Sequence, residues 1–214
     1  MLPLKRISWF FVCSVFVYAL LVAPWHGAQD AYETFFQAGG NLLFGTIGEQ
    51  GSAKFAPLTS KRGTHDTLVT LRKRQPPYPV MDLNISSLQV GYRPTVFLIA
   101  LALATPIPWS RRWKALVLGL LAVQVFIAFR VWLFLADLLS NENIMAIYSL
   151  SPWVKSILRG VSLVLFRSPA MHYIGPLFIW LGVTFRRGDF EMLMGRAPAD
   201  QPVKPSSRRS KRRS

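Results

Sequence analysis

Residues 93–137 read RPTVFLIALALATPIPWSRRWKALVLGLLAVQVFIAFRVWLFLAD, and how this stretch is read decides the fold. Two apolar arms flank a short turn that carries Arg111, Arg112 and Lys114. Each arm reads as a membrane span. The second arm holds Arg130 inside an otherwise apolar run, with Gln124 about two turns before it. An arginine within a span costs about 2.5–3.5 kcal/mol on insertion scales. Such a residue is kept for pairing or for function, and it has to find partners.

The totals agree with a membrane reading. The 214 residues are 51% hydrophobic, with a mean hydropathy of +0.30, which is greasy for a water-soluble domain. The formal net charge is +15. In a membrane protein that excess speaks to topology and to anionic lipid. Nucleic acid is not expected as a partner, because the chain carries no RNA- or DNA-reading motif. Cys13 is the one cysteine, and His26, His65 and His172 lie far apart. That leaves no disulfide, no metal-ligand spacing and no expected cofactor.

Working outward, residues 1–25 hold Lys5 and Arg6 and then ISWFFVCSVFVYALLVAPW, an uncharged run expected to be a first transmembrane helix. Residues 26–92 form the longest polar stretch, expected as an extracytoplasmic segment. DAYETFFQAGGNLLFGTIG suits a helix lying on a membrane surface. In MDLNIS, Met81, Leu83 and Ile85 share one face, and in TLVTLR the alternation is less regular; QPPYP separates the two. These are half-buried strand signals, and they predict a small extracytoplasmic β element.

Residues 93–187 are expected as a transmembrane core. Spans are read over 94–109, 115–137 and 170–185, with a polar connection at 138–153. VKSILRGVSLVLF at 154–166 is too short to span and reads as interfacial or re-entrant. Residues 188–214 end in KPSSRRSKRRS and are expected to be a disordered basic tail that meets anionic lipid. The expected fold class is thus an all-α integral membrane bundle of about four transmembrane helices with a small β element. The short basic turn and both basic ends place the N- and C-termini on the cytoplasmic side of a bacterial inner membrane.

A rise of about 1.5 Å per helical residue puts Arg93, Arg130 and His172 near one outer level, with Gln89 one turn before Arg93. Here the residues resemble a family. Gln89-Val90-Gly91-Tyr92-Arg93, an apolar span, a basic turn, a span ending Phe126-Ile127-Ala128-Phe129-Arg130, and His172 opening a last span with Gly175 look like the exosortase/archaeosortase family. That resemblance covers roughly residues 88–185. It implies a membrane transpeptidase core that processes tails built of a short motif, a transmembrane helix and a basic end. The implied pocket residues are Gln89, Gly91, Arg93, Arg130 and His172.

One departure bears on the chemistry. Gln89 stands at the position of the family's nucleophilic cysteine, and an amide does not attack a peptide carbonyl. Ile127 stands at the position of the family's asparagine. By the same helical count Cys13 lies roughly 15 Å or more from His172, too far for a nucleophile and its base. The resemblance is therefore closest to a small exosortase-associated membrane protein without the cysteine. Its expected partners are an exosortase or a sorted protein's C-terminal tail. Two other readings stay open: a cysteine-independent peptidase using water activated by His172, and a purely structural membrane protein.

Overall fold

The computed structural model describes residues 2–23, 25–46, 51–58, 65–73, 80–140 and 151–184. The chain runs through α1 (Leu2–Val22), α2 (His26–Phe44), β1 (Gly51–Pro57), β2 (Thr67–Lys73) and β3 (Val80–Ile85). It continues through a π turn at Leu88–Tyr92, α3 (Arg93–Ala104), α4 (Trp109–Ser140), α5 (Pro152–Ser162), a second π turn at Leu163–Arg167, and α6 (Met171–Thr184). Residues 141–150 of the predicted polar connection and the basic tail lie outside the described residues.

The four-span bundle expected from the sequence is not what forms. Among the described residues α4 is the one helix long and apolar enough to cross a membrane; a second crossing arises only if α1 and α2, bent by 80° relative to each other, count as one broken span. The reason is length. α3 has 12 residues and α6 has 14, about 18 and 21 Å of helix against about 30 Å of hydrocarbon. Apolar composition reads the same in a short packed helix as in a span.

The sheet is antiparallel in the order β1-β2-β3. Val69 pairs with both Phe55 and Leu83. Strand alternation turns Ala53, Phe55, Val69, Leu71 and Ile85 inward. There they join Phe36 and Phe44 of α2 and Val123, Ile127, Val131 and Leu135 of α4 in one core. Asn41 of α2 fills the outer edge of β1: its Oδ1 accepts the Phe55 N–H at 2.8 Å and its Nδ2 donates to the Phe55 carbonyl at 2.8 Å.

α3 packs against α1, α4 and α6. At one end of these helices Tyr92 Oη donates to the Leu21 carbonyl (2.8 Å) and the Tyr18 and Tyr173 hydroxyls meet at 3.2 Å. At the other end Trp180 Nε1 donates to Thr105 Oγ1 (2.9 Å) and Trp180 stacks on Phe10.

Three arginines of α4 close the ends of three other helical segments. Arg111 donates to the Thr184 carbonyl at the end of α6 (2.8 Å), and Arg112 to the Thr105 carbonyl just past α3 (3.0 Å). Arg130 reaches the second π turn. Terminal carbonyls have no partner within their own helix, and a cation is favoured at that negative end of the dipole. The predicted basic turn is thus partly the first turn of α4, and its charges serve as caps.

Outside, α4 carries an exposed ridge in steps of three or four: Trp109, Trp113, Val117, Leu121, Val125, Phe129 and Trp132. α1 exposes Trp9, Phe16 and Leu20, and α6 exposes Phe178. A folded protein in water rarely leaves so many large apolar side chains uncovered together.

Candidate functional site

The site begins with a proline. Pro94 has no N–H to give to the carbonyl four residues back. The chain ahead of it widens into the π turn, and the Arg93 N–H reaches Leu88, five residues back. Such single wide turns recur at functional sites. The start of the turn is pinned by Asp66. Its buried carboxylate accepts the Ser87 N–H (2.9 Å), the Leu88 N–H (3.4 Å) and the Thr67 hydroxyl (2.8 Å). Ser86 Oγ takes the Gln89 N–H at 3.3 Å. Free N–H groups at a helix start favour an acceptor and a negative charge. Asp66 therefore ties β2 to the segment that carries Gln89 and Arg93.

Above this turn opens a cavity of about 470 Å³. β3 and its end contribute Leu83, Asn84, Ile85 and Ser86, and the π turn and α3 contribute Gln89, Val90 and Arg93. Phe134 of α4, with Phe166, Pro169, His172 and Tyr173, forms another part of the wall, and His65 completes the lining. No carboxylate among the described residues lines it.

Three of the five sequence-predicted site residues, Gln89, Arg93 and His172, thus border one space. Gly91 does not border it. A β-carbon there would run into the ring of Tyr32 on α2, so the glycine serves helix packing. Arg130 does not border it either. It is fully buried, donates from Nε to the Leu165 carbonyl at 2.6 Å, and lies 6.0 Å from the ring centroid of Phe166, a wall residue. Cys13, half-buried in α1, takes no part in the lining. Sequence reasoning missed Asp66, His65 and the edge of β3. The one available sign was Asp66 standing directly before an alternating stretch.

His172 is half-buried, and its Nδ1 lies 3.0 Å from the Pro169 carbonyl oxygen. A carbonyl only accepts, so Nδ1 carries the proton and Nε2 is left as an acceptor in the neutral ring. Burial, followed by the charge of Arg130, holds the imidazole below its ordinary pKa. The cavity therefore combines one exposed guanidinium, a neutral imidazole, amides and hydroxyls with aromatic walls. Such donors suit carbonyl or carboxylate oxygen, and among the described residues no thiol lines the cavity. No group of His, Cys, Asp and Glu among the described residues is placed to hold a metal.

A partly buried polar chain joins the π turn to α2 and α4. Tyr32 Oη points to Gln124 Oε1 (3.5 Å), Gln124 Nε2 donates to Thr95 Oγ1 (3.1 Å), and Thr95 Oγ1 donates to the Gly91 carbonyl (2.8 Å). Gln124, conspicuous in the sequence, thus joins α4 to α2 and α3. No known protein family, curated protein or solved structure matches this chain.

Proposed function

We propose that this chain is a non-catalytic binding protein of the membrane, built around a cationic pocket and serving an exosortase-type protein-sorting system. The observation that carries the reading is the joint placement of Gln89, Arg93 and His172 on one cavity without a thiol. The sequence resemblance adds the sorting system, and with it an exosortase or a sorted protein's tail as the partner.

The α4 ridge supports the membrane setting. Trp113 and Trp132 are 19 residues apart, about 28 Å along the helix, close to the bilayer's hydrocarbon thickness. Tryptophans favour the two interfaces. Arg111, Arg112 and Lys114 favour a cytoplasmic start for α4 under the positive-inside rule, and the cavity would then face the opposite side.

The test is recovery of partners from native membranes in mild detergent, wild type against Arg93→Ala. Recovery of an exosortase, or of a protein ending in a motif, a helix and a basic tail, should fall in the variant. Equal recovery by both would defeat the proposal.

A second reading, hydrolysis through water, draws on the free Nε2 of His172, which is suited to take a proton. Its test is cleavage of a tripartite tail substrate that His172→Ala abolishes.

A further inference from the structure

The geometry points to a binding mode for this pocket: an extended peptide segment adds to β3 as a fourth strand, with an acidic side chain held by Arg93. The inference rests on the binding reading above and specifies what fills the cavity.

Successive strand residues point to opposite faces. A cavity lying on one face of a strand would meet every second residue. This one is lined by Leu83, Asn84, Ile85 and Ser86 in succession, so it runs along the strand's edge. That edge is open among the described residues, where β3 pairs with β2 alone. On the opposite edge of the sheet Asn41 already takes the N–H and the carbonyl of Phe55. An unpaired strand edge offers a row of backbone donors and acceptors, and adding a strand is an established route to peptide recognition.

Charge selects the side chain. Arg93 is exposed and borders the cavity, and no carboxylate among the described residues lines it. The neutral imidazole of His172 offers an acceptor at Nε2 rather than a competing positive charge. Phe134 and Phe166, stacked at 4.1 Å, give an apolar wall for a neighbouring side chain. The volume, about 470 Å³, falls within the range of ligand cavities, about 300–1,000 Å³.

The experiment uses the full chain in detergent micelles and fluorescent octapeptides of alternating valine and threonine with one central glutamate. Four peptides are compared: the parent, its glutamine counterpart, and two versions N-methylated on alternate amides so that one or the other edge cannot donate. The parent should bind. One methylated version should lose about tenfold or more while the other binds like the parent, and glutamine should weaken binding by a similar factor. Arg93→Gln should erase the preference for glutamate while leaving the methylation pattern intact. Equal binding by both methylated versions, or none by the parent, would overturn the mode. Partner recovery from membranes with no edge preference would keep the binding reading and discard this one; edge-selective peptide binding without any sorting partner would do the reverse.

Discussion

Arg130 Nε lies 2.6 Å from the carbonyl oxygen of Leu165, and the Arg130 side chain is shut away from solvent. The bond holds the π turn after α5, and with it Phe166 and the approach to His172. A second nitrogen, Nη2, sits at 3.5 Å from the Phe166 carbonyl, and Phe126 faces the guanidinium at 5.6 Å. Arg130→Ala removes the cap and leaves a carbonyl unpaired. It should lower the unfolding free energy by about 2–4 kcal/mol, read by denaturant titration in detergent. Backbone amides of residues 163–167 should exchange faster with deuterium. Unchanged exchange there would show that the cap is not what holds the turn.

The Tyr32–Gln124–Thr95 chain should behave as one unit. Gln124→Leu and Thr95→Val are each expected to cost about 1–2 kcal/mol. The double variant should cost less than their sum by about 0.5–1.5 kcal/mol. Strict additivity in thermal melts would show the two contacts to be independent.

Gly91→Ala separates packing from binding. A β-carbon meets the Tyr32 ring, and overpacking of this kind costs about 1–3 kcal/mol. Tyr32→Ala should recover part of that loss. Peptide affinity should stay near wild type wherever the variant is folded, since Gly91 does not face the cavity.

pH tests His172. Burial first, and the Arg130 charge next, disfavour its protonated form in the folded chain. The unfolded chain takes up this proton near its ordinary value of about 6.5, and the folded chain only at lower pH. Stability should therefore be level above about pH 7, fall as pH drops through about 6.5, and level again below the folded value. His172→Gln should remove that share of the slope. An identical slope in the variant would assign it to other groups.

Gln89→Cys, made with Cys13→Ser, places a thiol on the cavity that Arg93 and His172 line. Nearby positive charge lowers a thiol's pKa, so alkylation by iodoacetamide should have its midpoint below about 8.5. The shift should shrink with Arg93→Gln. A midpoint at the ordinary value in both would mean that the three side chains do not act on one point.

The sequence carried some of these relationships and hid others. The alternation of Met81, Leu83 and Ile85 marks β3, and the structure has a strand at that place. β1, GSAKFAP, escaped notice because it lacks β-branched residues and is held by Asn41 and by pairing with β2. Pro106 and Pro108 marked the end of the first apolar arm, yet composition could not reveal how short α3 and α6 would be. The same helical count that grouped Arg93, Arg130 and His172 by depth said nothing of direction. Arg93 and His172 face the cavity, whereas Arg130 turns to a carbonyl 35 positions away in the chain. Asp66 was invisible as a cap because its N–H partners are 21 and 22 positions onward.

Asn41 holds Phe55 at the border of β1, whereas β3 has no such partner among the described residues. Two copies that join by strand pairing through β3 would do so in a twofold arrangement. Such a dimer would close both cavities at once. Crowding of the protein and loading of the site would then compete for the same row of backbone groups.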